Sequence, residues 1–162
     1  MSNEPRLEFL YQISVFLDPP LAIGEHAGGN RQIVPITGGS FEGPHMRGKV
    51  LAGGADWLLV RPDGVGVLDV RYSMQTDDGA LIYVYYSGYL TRVLELFPRW
   101  AAGEQIPHEE YYFVVTPRLE TSAPQYGWLQ QVVVLGMGYL IPGGVGYHVF
   151  AVHHAQEGRG EG

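Results

Sequence analysis

At 162 residues the chain suffices for one domain, spanning 1–162 with a core over about 7–154, that buries roughly 70% of the surface its unfolded form exposes. A net charge of −7 argues against a phosphate-binding surface, so no nucleic-acid partner is expected. With no Cys there are no disulfides, thiolate nucleophiles or zinc–thiolate sites, which fits a reducing cytoplasm.

The composition favours strands. Hydrophobic residues make up 46% and charged residues 17%, and 11 Tyr and 23 Gly suit pleated strands and tight turns. No apolar run is long enough to span a bilayer, and the N-terminus lacks a signal-peptide pattern. No membrane partner is expected, and the expected location is cytoplasmic.

In chain order, Leu7–Leu17 reads as the first strand, ended by Asp18-Pro19-Pro20. Residues 21–30, with Gly24, Gly28 and Gly29, read as a mobile loop. Gln32–Ile36 is a second strand, and Gly38-Gly39 a bulge after which Ser40-Phe41 resumes pairing. Met46–Leu51, Asp56–Arg61, Val65–Thr76 and Ala80–Tyr89 follow as strands. Pro62-Asp63-Gly64 and Asp77-Asp78-Gly79 are the strongest hairpin signals. Over Thr91–Trp100 the period changes: Val93, Leu94 and Phe97 recur at helical spacing, Thr91 can cap, and Pro98 should end the helix. Tyr111–Thr116, Leu129–Ile141 and Val145–His153 complete about nine strands, with Glu120–Tyr126 a loop and residues 155–162 a frayed tail. Sequential hairpins leave free edges unless the sheet closes. The expected fold is therefore all-β: a closed antiparallel barrel of about 8–10 strands with one short helix, able to hold a small ligand. A two-sheet sandwich shares the same strand spacing.

The ordered motifs Gly38-Gly39-Ser40-Phe41-Glu42-Gly43-Pro44, Gly53-Gly54-Ala55-Asp56-Trp57, Leu68-Asp69-Val70-Arg71-Tyr72 and Thr76-Asp77-Asp78-Gly79-Ala80-Leu81-Ile82-Tyr83 stand out, followed by Tyr111-Tyr112-Phe113, Leu119-Glu120-Thr121 and Trp128-Leu129. With them the chain resembles the domain-of-unknown-function family 3237, from about Leu7 to Val152. The resemblance implies a calycin-like β-barrel and no particular chemistry. Two positions depart from the family pattern: Val114 stands where an Arg is usual, and Gln130 where an Asn is common. If those polar groups shape the pocket, this member holds a different ligand.

Asp69 and Arg71 lie two apart on one strand and share a face. Alternation alone sends Leu68, Val70 and Tyr72 inward and the charged pair into water. The resemblance, centred on the charged pair, tips the expectation to the lumen, with Trp57 and Tyr83 among its walls. Asp56 is either a carboxylate at the barrel mouth, its pKa raised beside Trp57, or an Asx-turn residue binding local amides. The candidate catalytic residues are Asp56, Asp69, Arg71 and Tyr83, and the candidate substrate-binding residues are Trp57, Tyr85, Trp128, His148 and Arg31. Spacings for a metal pair, a phosphate loop, a dinucleotide fingerprint or a serine elbow are absent, so no metal and no cofactor is expected. The leading expectation is a small cofactor-independent isomerase, cyclase or lyase of secondary metabolism, acting on a largely apolar metabolite in the lumen. The alternative is a lipocalin-like carrier of such a metabolite. A homo-oligomer is compatible with either.

Overall fold

The structure, a computed structural model, describes residues 3–155. The strands are β1 (Arg6–Leu17), β2 (Leu21–His26), β3 (Gly29–Glu42), β4 (Arg47–Val50), β5 (Ala55–Val60), β6 (Gly66–Thr76), β7 (Leu81–Leu90), β8 (Phe113–Val115), β9 (Arg118–Glu120), β10 (Val133–Ile141) and β11 (Gly144–His153). One α-helix, α1 (Val93–Ala101), and two 3₁₀ turns, His108–Glu110 and Pro124–Gln130, interrupt them.

Alternation decides what faces inward. Along β6, Leu68, Val70, Tyr72 and Met74 are buried while Asp69 and Arg71 are exposed. Along β7, Ile82, Val84 and Tyr86 are buried between the half-buried Tyr83 and Tyr85. A period of two with one buried face is the mark of a sheet wrapped around its own core. Following the pairings, β6–β5–β3–β1–β11–β10–β8–β7 returns to β6, which makes a closed antiparallel ring of eight strands. Closure removes the free edges of the ring itself, as the hairpin series predicts, and leaves β2, paired with β3 alone, as an edge. The other three strands are additions. β4 and β5 divide one place in the ring, since β3 and β6 each pair with both. Similarly, β8 and β9 both pair with β7.

The bend that lets β3 serve two neighbours lies one residue before the bulge expected at Gly38-Gly39. Phe16 pairs with Gly38 but Leu17 with Ile36, which leaves Thr37 as the extra residue. Gly39, at φ 150°, then passes so close to β1 that a Cβ would stand 2.0 Å from Ser14 O.

Three segments differ from expectation. Residues 21–30 form the β2–β3 hairpin rather than a loop, with Gly24 (φ 94°) absorbing a register shift. Arg118–Glu120 is a strand and Pro124–Gln130 a 3₁₀ turn, so β10 starts at Val133 rather than Leu129. α1 continues past Pro98 to Ala101, because Trp100 is held by its Nε1–H donating to Ile141 O at 2.7 Å. Its first turn begins at Arg92 in the left-handed region (φ 58°), while the Thr91 hydroxyl instead accepts from Tyr112 N–H. The expected frayed tail lies outside the described residues, apart from Ala155.

One end of the barrel carries α1, whose Val93, Leu96, Phe97 and Trp100 make one helical stripe turned to the core. The other end carries the Asp77–Gly79 hairpin and the Pro124–Gln130 turn, joined by Tyr126 O–H donating to Asp78 Oδ2 at 3.0 Å. Leu10, Met46, Met74, Ile82 and Leu129 belong to the buried core of that half.

Candidate functional site

The α1 half of the barrel is not filled. Side chains from the ring strands and α1 surround a narrow cavity of about 50 Å³ that opens to solvent. Its walls are Val34, Ile36, Leu58, Leu68, Val70 and other apolar residues, with Phe97 and Trp100 from α1. Besides Trp100, three lining side chains among the described residues carry a polar group: Asp56, Tyr86 and Tyr147. The Trp100 indole N–H is already given to Ile141 O.

Local backbone explains why a carboxylate ends up there. Gly53 and Gly54 turn the chain into β5, and Gly54 lies so close to β6 that a Cβ would stand 2.1 Å from Arg71 O. Two residues later Asp56 faces inward with Leu58 and Val60, while Trp57 faces out. The β5–β6 ladder pairs Ala55 with Arg71, Asp56 with Val70, Leu59 with Val67 and Val60 with Gly66, and is interrupted at Trp57 and Leu58. At that gap Asp69 N–H donates to Asp56 Oδ1 at 3.1 Å, and Trp57 O accepts from Arg31 Nη1 at 2.6 Å. The Asp56 carboxyl has no other hydrogen bond among the described residues, so its second oxygen is left to the cavity.

Burial pushes the Asp56 carboxyl from its ordinary value near 3.8 up to about 7. The Asp69 amide opposes that rise, the Asp69 charge adds to it, and the Arg31 charge lowers it again. Near neutral pH Asp56 is therefore divided between acid and carboxylate, the state in which one group can both give and take a proton. Tyr86 shares a rung with it, since Asp56 pairs with Val70 and Val70 with Tyr86. Tyr147 packs edge-on against Tyr86 (5.5 Å between centroids) and Phe113 (5.2 Å). Burial holds both phenols well above their usual pKa of 10, so they stay neutral.

Of the residues singled out by sequence, Asp56 alone lies in this cavity. Asp69 and Arg71 are on the outer surface, 3.9 Å apart with more than half of each side chain exposed, which corrects the expectation that they point inward. Tyr83 and Tyr85 stack on each other on the same outer face, and Arg71 Nη1 donates to the Tyr83 hydroxyl at 3.3 Å. Trp57 is outward and exposed, so it is not a cavity wall. Arg31 does not line the cavity: it donates to the Trp57 carbonyl and acts on Asp56 through its charge. Trp128 sits in the 3₁₀ turn at the far end, edge-on to His45. His148 is on the outside of β11 against Tyr139. Val114 faces an outer groove, and Gln130 bonds the Thr121 backbone, so neither departure from the family pattern touches the cavity. Alternation alone, with Leu68, Val70 and Tyr72 inward, was the better guide. Tyr86 and Tyr147 carried no signal beyond being aromatic on strands, Phe113 only its place in the Tyr111-Tyr112-Phe113 motif, and Phe97 and Trp100 none beyond their helical spacing.

Residues 5–152 match the profile of a family described as "Protein of unknown function (DUF3237)". The chain belongs to the DUF3237 family. A UPF0311 protein of Clostridium acetobutylicum is 36% identical over 141 residues, covering 86% of this chain and 89% of that protein. The crystal structure of a conserved protein of unknown function from Rhodopseudomonas palustris superposes with a TM-score of 0.86 at 32% identity, covering 94% of this chain and all of that one. A more distant relative is a hydroalkoxylation enzyme of Penicillium herquei, 29% identical over 133 residues, or 82% of this chain and 73% of that enzyme. This DUF3237 chain thus has relatives of unknown function and one described by a reaction.

Proposed function

We propose that the protein is a cofactor-independent cyclase of the barrel-lumen type, closing a ring by adding a hydroxyl across an activated C=C bond of a flat, apolar substrate. The observation that carries this reading is Asp56, a carboxyl in an apolar cavity, anchored by one amide and titrating near neutrality. The kinship with a hydroalkoxylation enzyme supports the same reaction class.

The chemistry balances on one residue. The Asp56 acid gives its proton to an alkene carbon, and the π pair becomes the new C–H bond. The neighbouring carbon becomes electron-deficient, and the aromatic faces of Phe97, Trp100 and Phe113 are suited to stabilise it. The substrate hydroxyl oxygen bonds to that carbon and its proton passes to the Asp56 carboxylate, which restores the acid. Substrate and product are isomers, and no electrons leave the substrate. The narrow walls contribute by holding the oxygen and the alkene in a reactive geometry, which removes entropy from the barrier.

The test incubates purified protein with a panel of alkenyl phenols and follows a product of unchanged mass and new retention time. Asp56→Asn keeps size and the contact with the Asp69 amide but removes the proton, so turnover should fall by roughly 10² or more. For the wild type, kcat/KM should fall as pH rises above about 7, where Asp56 loses its proton. Arg71→Met, on the outer face, is the control and should leave turnover nearly unchanged. Recovery of every phenol unaltered would remove the catalytic reading and favour a carrier of such compounds.

A further inference from the structure

We infer that Tyr86 and Tyr147 form an oxygen-recognising end of the cavity and select ligands that carry a hydroxyl on a flat apolar frame. This deepens the reading of Asp56 and rests on it for the use made of that oxygen, while recognition itself needs no turnover.

Among the described residues, the polar side chains of the cavity lining are the Asp56 carboxyl, the Trp100 indole, which is given to Ile141 O, and the two phenols. A Phe at either place would keep the edge-on packing against the neighbouring rings without burying a hydroxyl. A hydroxyl taken out of water costs free energy unless it finds a partner. Yet no buried side-chain oxygen or nitrogen among the described residues lacks both a partner and access to open space. The Tyr86 and Tyr147 hydroxyls lie within hydrogen-bonding reach of each other and that of Tyr72 within reach of Tyr86, and a phenol oxygen, both donor and acceptor, keeps capacity for a further partner across the cavity. Tyr72 packs edge-on against Tyr86 at 6.0 Å.

Position supplies the rest. Asp56 and Tyr86 lie on one rung with Val70 between them, so the acid and the phenol pair flank the same stretch of cavity. A ligand laid across Val70 brings one part to the carboxyl and another to the phenols. Because burial keeps both phenols neutral, they act as hydrogen-bond partners and not as proton sources. They are positioning residues. A neutral phenol can accept from a hydroxyl and donate to an oxygen, and the remaining apolar walls can do neither.

The experiment is a calorimetric titration with 2-allylphenol and with allylbenzene, its deoxy analogue. The wild type should bind the phenol roughly five- to tenfold more tightly, the worth of one net hydrogen bond. Tyr147→Phe and Tyr86→Phe should reduce that preference towards onefold while still binding allylbenzene, which shows the cavity intact. Absence of a preference in the wild type, or its survival in both variants, would overturn the inference. So would loss of allylbenzene binding in both variants, since the phenols would then hold the cavity's shape and not select its ligand. A preserved preference without turnover of any alkenyl phenol would count against the cyclase reading and leave this one standing.

Discussion

The Asp56 carboxyl is held where its ionised form is poorly solvated, with one backbone amide for compensation. That has a cost to stability whose sign can be worked out. Its pKa in the folded chain is raised to about 7, so the folded state binds this proton more tightly than the unfolded one. The associated stability is fully present below about pH 4 and is lost as pH rises through about 7. The displacement from 3.8 to about 7 sets an upper bound of roughly 4 kcal/mol. Asp56→Asn does not ionise, so thermal melts should show the variant gaining on the wild type between pH 4 and 8. A difference independent of pH would contradict the burial. The position of Asp56 was half legible in sequence: a Gly-Gly turn followed by Asp and Trp marks an unusual carboxylate, and either strand face was open to it. What sequence could not supply is its amide partner, Asp69, which lies on the neighbouring strand and whose own side chain points the other way.

Among the elements, the Gly53–Gly54 entry to β5 controls the site most directly. A side chain at residue 54 would collide with the Arg71 carbonyl at 2.1 Å and with Tyr72, and both belong to a strand that cannot withdraw without opening the ring. Gly54→Ala should therefore cost about 2–3 kcal/mol, seen as a fall in Tm of roughly 5–10 °C. It should also shift the Asp56 titration, because the turn sets where β5 begins. A melting temperature within about a degree of the wild type would mean that β6 yields more readily than its pairing suggests. Strands with clean alternation, such as β6 and β7, were legible because one face had to be buried. β2 was not: it is an edge strand lying mostly in solvent, so its side chains follow no inward pattern and its three neighbouring glycines read as a loop. Pro98 misled for a related reason, since an indole hydrogen bond to a distant hairpin carbonyl holds the last turn of α1. Local propensity contains no trace of such a partner.

At the scale of the whole molecule, closure was legible as a problem before it was visible as an answer, because many hairpins in one chain demand that the first and last strands find each other. They do: β1 pairs with β11 from Arg6–His153 to Phe16–Gly144. This pairing bears on the order of events at the ribosome. The hairpin β6–β7 can zip up as soon as it emerges, but one side of β1 has no neighbour until residues 144–153 have been synthesised. Through most of synthesis the nascent chain is an open, apolar-faced sheet with an adhesive margin. The finished barrel would then carry its greatest aggregation hazard before its birth is complete. A circular permutant that joins the ends by a short linker and opens at Pro62–Gly64 delivers β11 just ahead of β1. It should give a larger soluble yield per chain synthesised in a chaperone-free translation system. An equal yield would show that the waiting margin is not the hazard.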